Sequence, residues 1–158
     1  MKFVIALFLF FLIACNNNTP KPVSGITISS DTSILSIVTD IDVYKPTAVW
    51  FTYVPVVPFD KNDRLPGPKD YYLNAILEFD KSTITELFLR SSRDIEKLIT
   101  PQQAAPYKFP WIPDKLLNEI EQSAEIKEYA ATKFYKGILI HGNFIIVGNK
   151  VVLILFTM

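Results

Sequence analysis

Cysteine and histidine each occur once in these 158 residues, methionine twice and glycine five times. A single cysteine excludes an internal disulfide, so the folded part must be held together by its core. A single histidine excludes a zinc-protease H-E-x-x-H pair, and a G-x-S-x-G nucleophile elbow is missing as well. Charge of one sign is also lacking. Sixteen basic and sixteen acidic residues are spread along the chain without a block of either. A nucleic-acid partner asks for a concentrated basic face, so none is expected. There is no internal repeat. One long apolar run stands out, residues 3–14, and its twelve residues rise about 18 Å as a helix against the roughly 30 Å of a bilayer core. It is too short to be a good transmembrane span.

Apolar residues make up 49% of the chain, enough for one packed domain and too few residues for two. The apolar run follows Lys2 and has the length of a signal-peptide h-region. It ends in Leu12-Ile13-Ala14-Cys15, an aliphatic residue, a tolerant position, a small residue and the cysteine. This stretch resembles the lipobox of bacterial lipoproteins. The resemblance covers the first fifteen residues and implies cleavage before Cys15, a diacylglyceryl group on its sulfur and acylation of the new N-terminus. Two or more acyl chains give stable anchoring where one is marginal. Two other readings of Cys15 are a small core residue on a retained helix and a reactive thiol. The tether-like "NNNTPKPVSG" that follows disfavours the first, and the lack of a neighbouring histidine or basic cluster in sequence disfavours the second. Asn16 stands where an Asp would signal inner-membrane retention in enteric bacteria. By that analogy the outer membrane, facing the periplasm, is favoured. The expected organisation is a signal peptide over 1–14, lipidated Cys15 and a flexible tether over 15–24, and one domain over 25–158.

Within that domain the periodicity predicts an α+β fold with a mostly antiparallel sheet. Alternation over residues 34–43 predicts a first strand. "TAVWFTYVPVV" from Thr47 and "YYLNAILEF" from Tyr71 predict the next two, with a loop between them. Ser82 is an expected N-cap for a helix over about 82–90, with residues 92–100 read as further helical turns. A long helix is expected over about 113–136, with Pro113 and Asp114 suited to its start and Gly137 to its end. The chain then reads as a three-stranded meander, "GILI", "FIIV" and "KVVLILFTM", with Gly148-Asn149 as a two-residue hairpin turn. The last run is apolar almost throughout, which marks a strand covered on both faces.

Few residues invite chemistry. Asp40 and Asp42 are two apart, a spacing that on a strand puts both carboxylates on one side, where they could hold a cation or run acid–base chemistry. The plainer reading is the solvated side of a half-exposed strand. His141 in "ILIHGNF" is a candidate general base or metal ligand, and more plainly a polar residue beside a turn. Asp60, Asn62 and Asp63 carry oxygen ligands at short spacing, but Arg64 and the displaced Gly67 break the calcium-loop pattern. No cofactor or metal is expected. Aromatics flanked by prolines, Trp50, Tyr53, Phe59, Tyr107, Phe109 and Trp111, are candidate rigid anchors for a partner. Their alternative is to fold back and plug the sheet. Two functions follow. One is a membrane-anchored envelope lipoprotein with a non-catalytic binding, assembly or protective role and an envelope protein as partner. The other is a membrane-anchored hydrolase using Asp40, Asp42 and His141, which requires those three to line one pocket.

Overall fold

A computed structural model of the chain describes residues 19–55, 70–91 and 95–157. The element order is α1 (Thr32–Val38), β1 (Ala48–Pro55), β2 (Tyr71–Glu78), α2 (Lys81–Ser91), β3 (Ile95–Ile99), α3 (Asp114–Gln122), β4 (Ile126–Ala130), β5 (His141–Val147) and β6 (Lys150–Phe156). The six strands form one sheet in the order β1-β2-β6-β5-β4-β3, antiparallel throughout. The fold is therefore α+β, and β4, β5 and β6 form the C-terminal meander. The last strand lies between β2 and β5 at the centre of the sheet, and its Val151, Val152, Leu153 and Leu155 are fully buried. Continuous apolarity is what a strand with both faces covered needs.

Side chains alternate across the sheet and feed two cores. On the first face Phe51, Leu73, Leu77, Phe144, Leu153 and Leu155 meet Leu35 of α1, Ile84 and Leu87 of α2, and Phe134 from a 3₁₀ turn at Thr132–Phe134. On the second face Ile76, Val152 and Ile145 meet Leu116 and Ile120 of α3, with Tyr107, Phe109 and Trp111 from the proline-rich segment. The β5–β6 hairpin has a local cause. Gly148 takes φ 60° at the first turn position between β5 and β6, where a two-residue hairpin favours glycine. The β1 edge is partly closed by a bridge from Ser29 to Phe51, which leaves less of that edge open to other chains.

Five sequence expectations are corrected. Residues 32–38 are helical rather than extended, because the Asp31 carboxylate accepts from Ser33 N at 2.8 Å and Ile34 N at 3.3 Å and so caps a turn that alternation alone did not reveal. The cap of α2 is Asp80, which accepts from Thr83 N, while Ser82 donates its hydroxyl to the same carboxylate. The stretch read as further helix after α2 contains β3. The long helix stops at Gln122, and residues 126–130 form β4, paired with β3 and β5, so "IKEYA" and not "GILI" opens the meander. The segment expected as a free tether is docked from Lys21 onward. Lys21 N donates to Trp111 O at 2.9 Å, its side chain pairs with Asp114, and Val23 packs on the second core. Cys15, Phe59 and the Asp60, Asn62, Asp63 loop lie outside the described residues.

Candidate functional site

The second face is covered unevenly. Antiparallel register arranges it in cross-strand rows over β2, β6 and β5. The row Ile76, Val152, Ile145 lies under α3 and the proline-rich segment. The next row is Asn74, Ile154, Asn143, and beyond it comes Tyr72, Phe156, His141. Tyr72, Asn74, Asn143, Ile154 and Phe156 of these two rows form the wall of an open cleft of about 420 Å³, a volume suited to a small ligand. Pro106, Tyr107 and Glu128 close its other side.

Aromatic rings line the outer row. Tyr72 stacks on Phe156 with ring centroids 5.5 Å apart, and His141 stacks on the same ring at 5.8 Å. Tyr72 remains 39% exposed and offers ring surface to the solvent. Deeper in the cleft Glu128, only 6% exposed, receives the Tyr107 hydroxyl on Oε1 at 2.6 Å. Its Oε2 has no hydrogen-bond partner. Lys97, directly across the ladder on β3, brings Nζ to 3.1 Å from Oε2 as an ion pair without hydrogen-bond geometry. That lysine is 62% exposed, so solvent screens the pair. Asn74 and Asn143 flank Ile154 on either side, about 10 Å apart at two strand spacings. Neither side-chain amide bonds another described residue. Among the described residues no lysine or arginine lines the cleft.

The sequence-selected residues fall elsewhere. Asp40 and Asp42 flank Ile41 in the turn after α1, on the side of the first core, with Asp40 N donating to Phe134 O at 3.1 Å. They are not on a strand. His141 belongs to the opposite face, and its Nε2 is buried without a partner beside Phe156. The three side chains do not line one pocket. Among the described residues no three histidine, cysteine or carboxylate side chains gather as metal ligands, and no helix is long and apolar enough to cross a membrane.

Of the expected aromatic anchors, Tyr107, Phe109 and Trp111 are core residues on the second face with almost no exposed ring surface. Folding back, not presentation, is what the prolines enforce there. Trp50 is half-buried against the same core, and Tyr53 stacks on Tyr71 at 5.0 Å. Burial raises the pKa of the Tyr53 hydroxyl, with Tyr71 beside it adding to the rise. Tyr107 still reaches the cleft through its hydroxyl.

A further pair joins α2 to the Thr132–Phe134 turn: Lys133 Nζ donates to Ser91 Oγ at 2.8 Å. Ser91 has no exposed surface, so this pair is a structural tie and presents no nucleophile. Asn74, Asn143 and Glu128 were not singled out from the sequence. The available signal was an asparagine inside each of two apolar strand runs, two residues before a core isoleucine, Ile76 or Ile145. Compared with known proteins, the chain matches no family model, no curated protein and no solved structure.

Proposed function

We propose that this protein is an envelope lipoprotein, anchored through acylated Cys15, whose folded domain is a non-catalytic binding module with the cleft between β2, β6, β5 and the proline-rich segment as its ligand site. The observation that carries this reading is the pair Asn74 and Asn143: two half-buried side-chain amides, on either side of Ile154 at the wall of an open cleft, that bond no other described residue. Such amides gain when a ligand supplies the hydrogen bonds that the fold does not. Beside them Glu128, nearly buried, with Oε1 on the Tyr107 hydroxyl and Oε2 paired with Lys97, adds acceptor lone pairs for a ligand. The hydrolase alternative has no supporting geometry, since Asp40, Asp42 and His141 lie on opposite sides of the sheet.

The anchor and the site are tested separately. Growth with an alkyne-bearing fatty acid should label the wild-type chain, and Cys15→Ser should lose both the label and membrane fractionation. Unchanged labelling of the variant overturns the anchor. For the site, the Asn74 and Asn143 side-chain amide signals should move when small ligands are titrated into the full-length chain in detergent. Amides insensitive to every ligand class tried would overturn the binding role.

A further inference from the structure

We infer that the cleft takes a neutral polyhydroxylated ring, a glycan residue, laid against Tyr72 and Phe156 and hydrogen-bonded by Asn74, Asn143 and Glu128. This deepens the reading of the cleft as a ligand site and rests on it.

The lining excludes the other ligand classes one by one. An anion would face the Glu128 carboxylate, whose Lys97 partner is already taken, and among the described residues no lysine or arginine lines the cleft to attract it. A cation would find Glu128 Oε2 already paired with Lys97 at 3.1 Å. A purely apolar ligand would strip water from two amides and a carboxylate oxygen and return no hydrogen bond. An extended peptide recognised by strand addition needs a free sheet edge, whereas the cleft opens on the face of three strands whose backbone groups are paired.

What remains is a molecule with hydroxyls around its rim and an apolar C–H face. Each asparagine supplies two donors and an acceptor, and Glu128, paired with Tyr107 and Lys97, keeps further lone pairs that can accept from a ligand hydroxyl. The outer aromatic row supplies the flat apolar surface for the ring face. Because Asn74 and Asn143 sit on either side of Ile154, they would grip opposite rims of a ring lying across β6.

The test is a titration of the ¹⁵N-labelled full-length chain in detergent micelles, read at the Asn74 and Asn143 side-chain amides. The ligands are neutral saccharides (chitobiose, cellobiose, maltose), putrescine, hexanoate and triglycine. The expected result is saturable shifts of both amides with at least one saccharide and none with the other three. Tyr72→Ala, at a residue 39% exposed, should weaken that binding by about tenfold, as should Glu128→Gln. Ile37→Ser, on the exposed side of α1, should leave it unchanged. Shifts with putrescine, hexanoate or triglycine and none with a saccharide would overturn the glycan inference while sparing the binding reading. Silence from all of them overturns both.

Discussion

Tyr107 donates its buried hydroxyl to Glu128 at 2.6 Å, joining the proline-rich segment to β4 across 21 positions of sequence. The bond fixes the side of the cleft opposite the strand wall and gives a buried carboxylate one of its two partners. Tyr107→Phe keeps the ring in the core and removes only the donor. It should cost about 1–3 kcal/mol in urea denaturation, the cost of leaving a buried acceptor unpaired. Tyr107→Phe combined with Glu128→Leu should be less destabilised than the sum of the two single variants, because no orphaned group remains. Strict additivity in that cycle would show that the pair is not coupled.

Gly142 sits on β5 with φ 139°, where a Cβ would overlap the Ile154 carbonyl oxygen and fall 2.9 Å from the Leu155 Cα. Both obstacles are backbone of the central strand and have nowhere to move. Gly142→Ala should therefore destabilise by about 3 kcal/mol or more, or prevent folding, since strain and steric overlap act together. Gly148→Ala, with φ 60° but only a Glu119 side-chain oxygen at 3.8 Å, should cost about 1–2 kcal/mol. Thermal melts of the two variants check the order. Equal losses would place the penalty in backbone strain alone.

The strands that could be read from sequence are those whose signal is local. β1, β2 and β6 carry runs of β-branched and aromatic residues, and the β5–β6 hairpin announces itself in Gly148-Asn149. The failures have a physical pattern too. Residues 32–38 alternate as a strand would, and the Asp31 cap tips them into a helix with Leu35 as its one fully buried side chain. "EIKEYA" is rich in helix formers, yet pairing with Phe144 and Ile145 on one side and Lys97 on the other holds it extended. Tertiary pairing overrides a propensity that differs by only tenths of a kcal/mol per residue.

The cleft was less legible than the fold because its parts come from five segments that only the fold brings together. Nothing near Glu128 in sequence marks it as buried, and Tyr107 reads as one more aromatic in a proline-rich stretch. Asn74 and Asn143 are visible as polar intrusions in apolar strands. That both flank Ile154 follows only from the register of β2 and β5 on β6.

Asp80 governs the acid sensitivity of α2. Its carboxyl is held down to about 2 from the usual 3.8, first by the Ser82 hydroxyl and then by the Thr83 N–H and hydroxyl. The folded-state value lies below the unfolded one. The cap's contribution is therefore complete above about pH 4 and fades as pH falls through about 2. Asp80→Ala should melt earlier than wild type at neutral pH, and the gap should close between about pH 4 and pH 2. A gap that stays constant down to pH 2 would mean that the ionised carboxylate is not what stabilises the helix start.

The position of β6 sets the consequence of shortening the chain. Leu153 and Leu155 are fully buried on the first face, opposite Ala75 and Leu73 on β2 and Phe144 and Gly142 on β5. Deleting residues 153–158 removes both side chains, each contributing about 1.5–3 kcal/mol of burial, and breaks the ladder on both sides of the strand. It also strips the cleft of Ile154 and Phe156. β2 and β5 would then face each other across a gap, with their backbone groups unpaired in the middle of the sheet. Against a total stability of about 5–15 kcal/mol, that loss exceeds what a domain of this size tolerates. The truncated chain should be insoluble or lack a cooperative melt by circular dichroism, whereas removing Met158 alone should leave the transition in place. A soluble, cooperatively melting chain ending at Val152 would show that the sheet closes without its central strand.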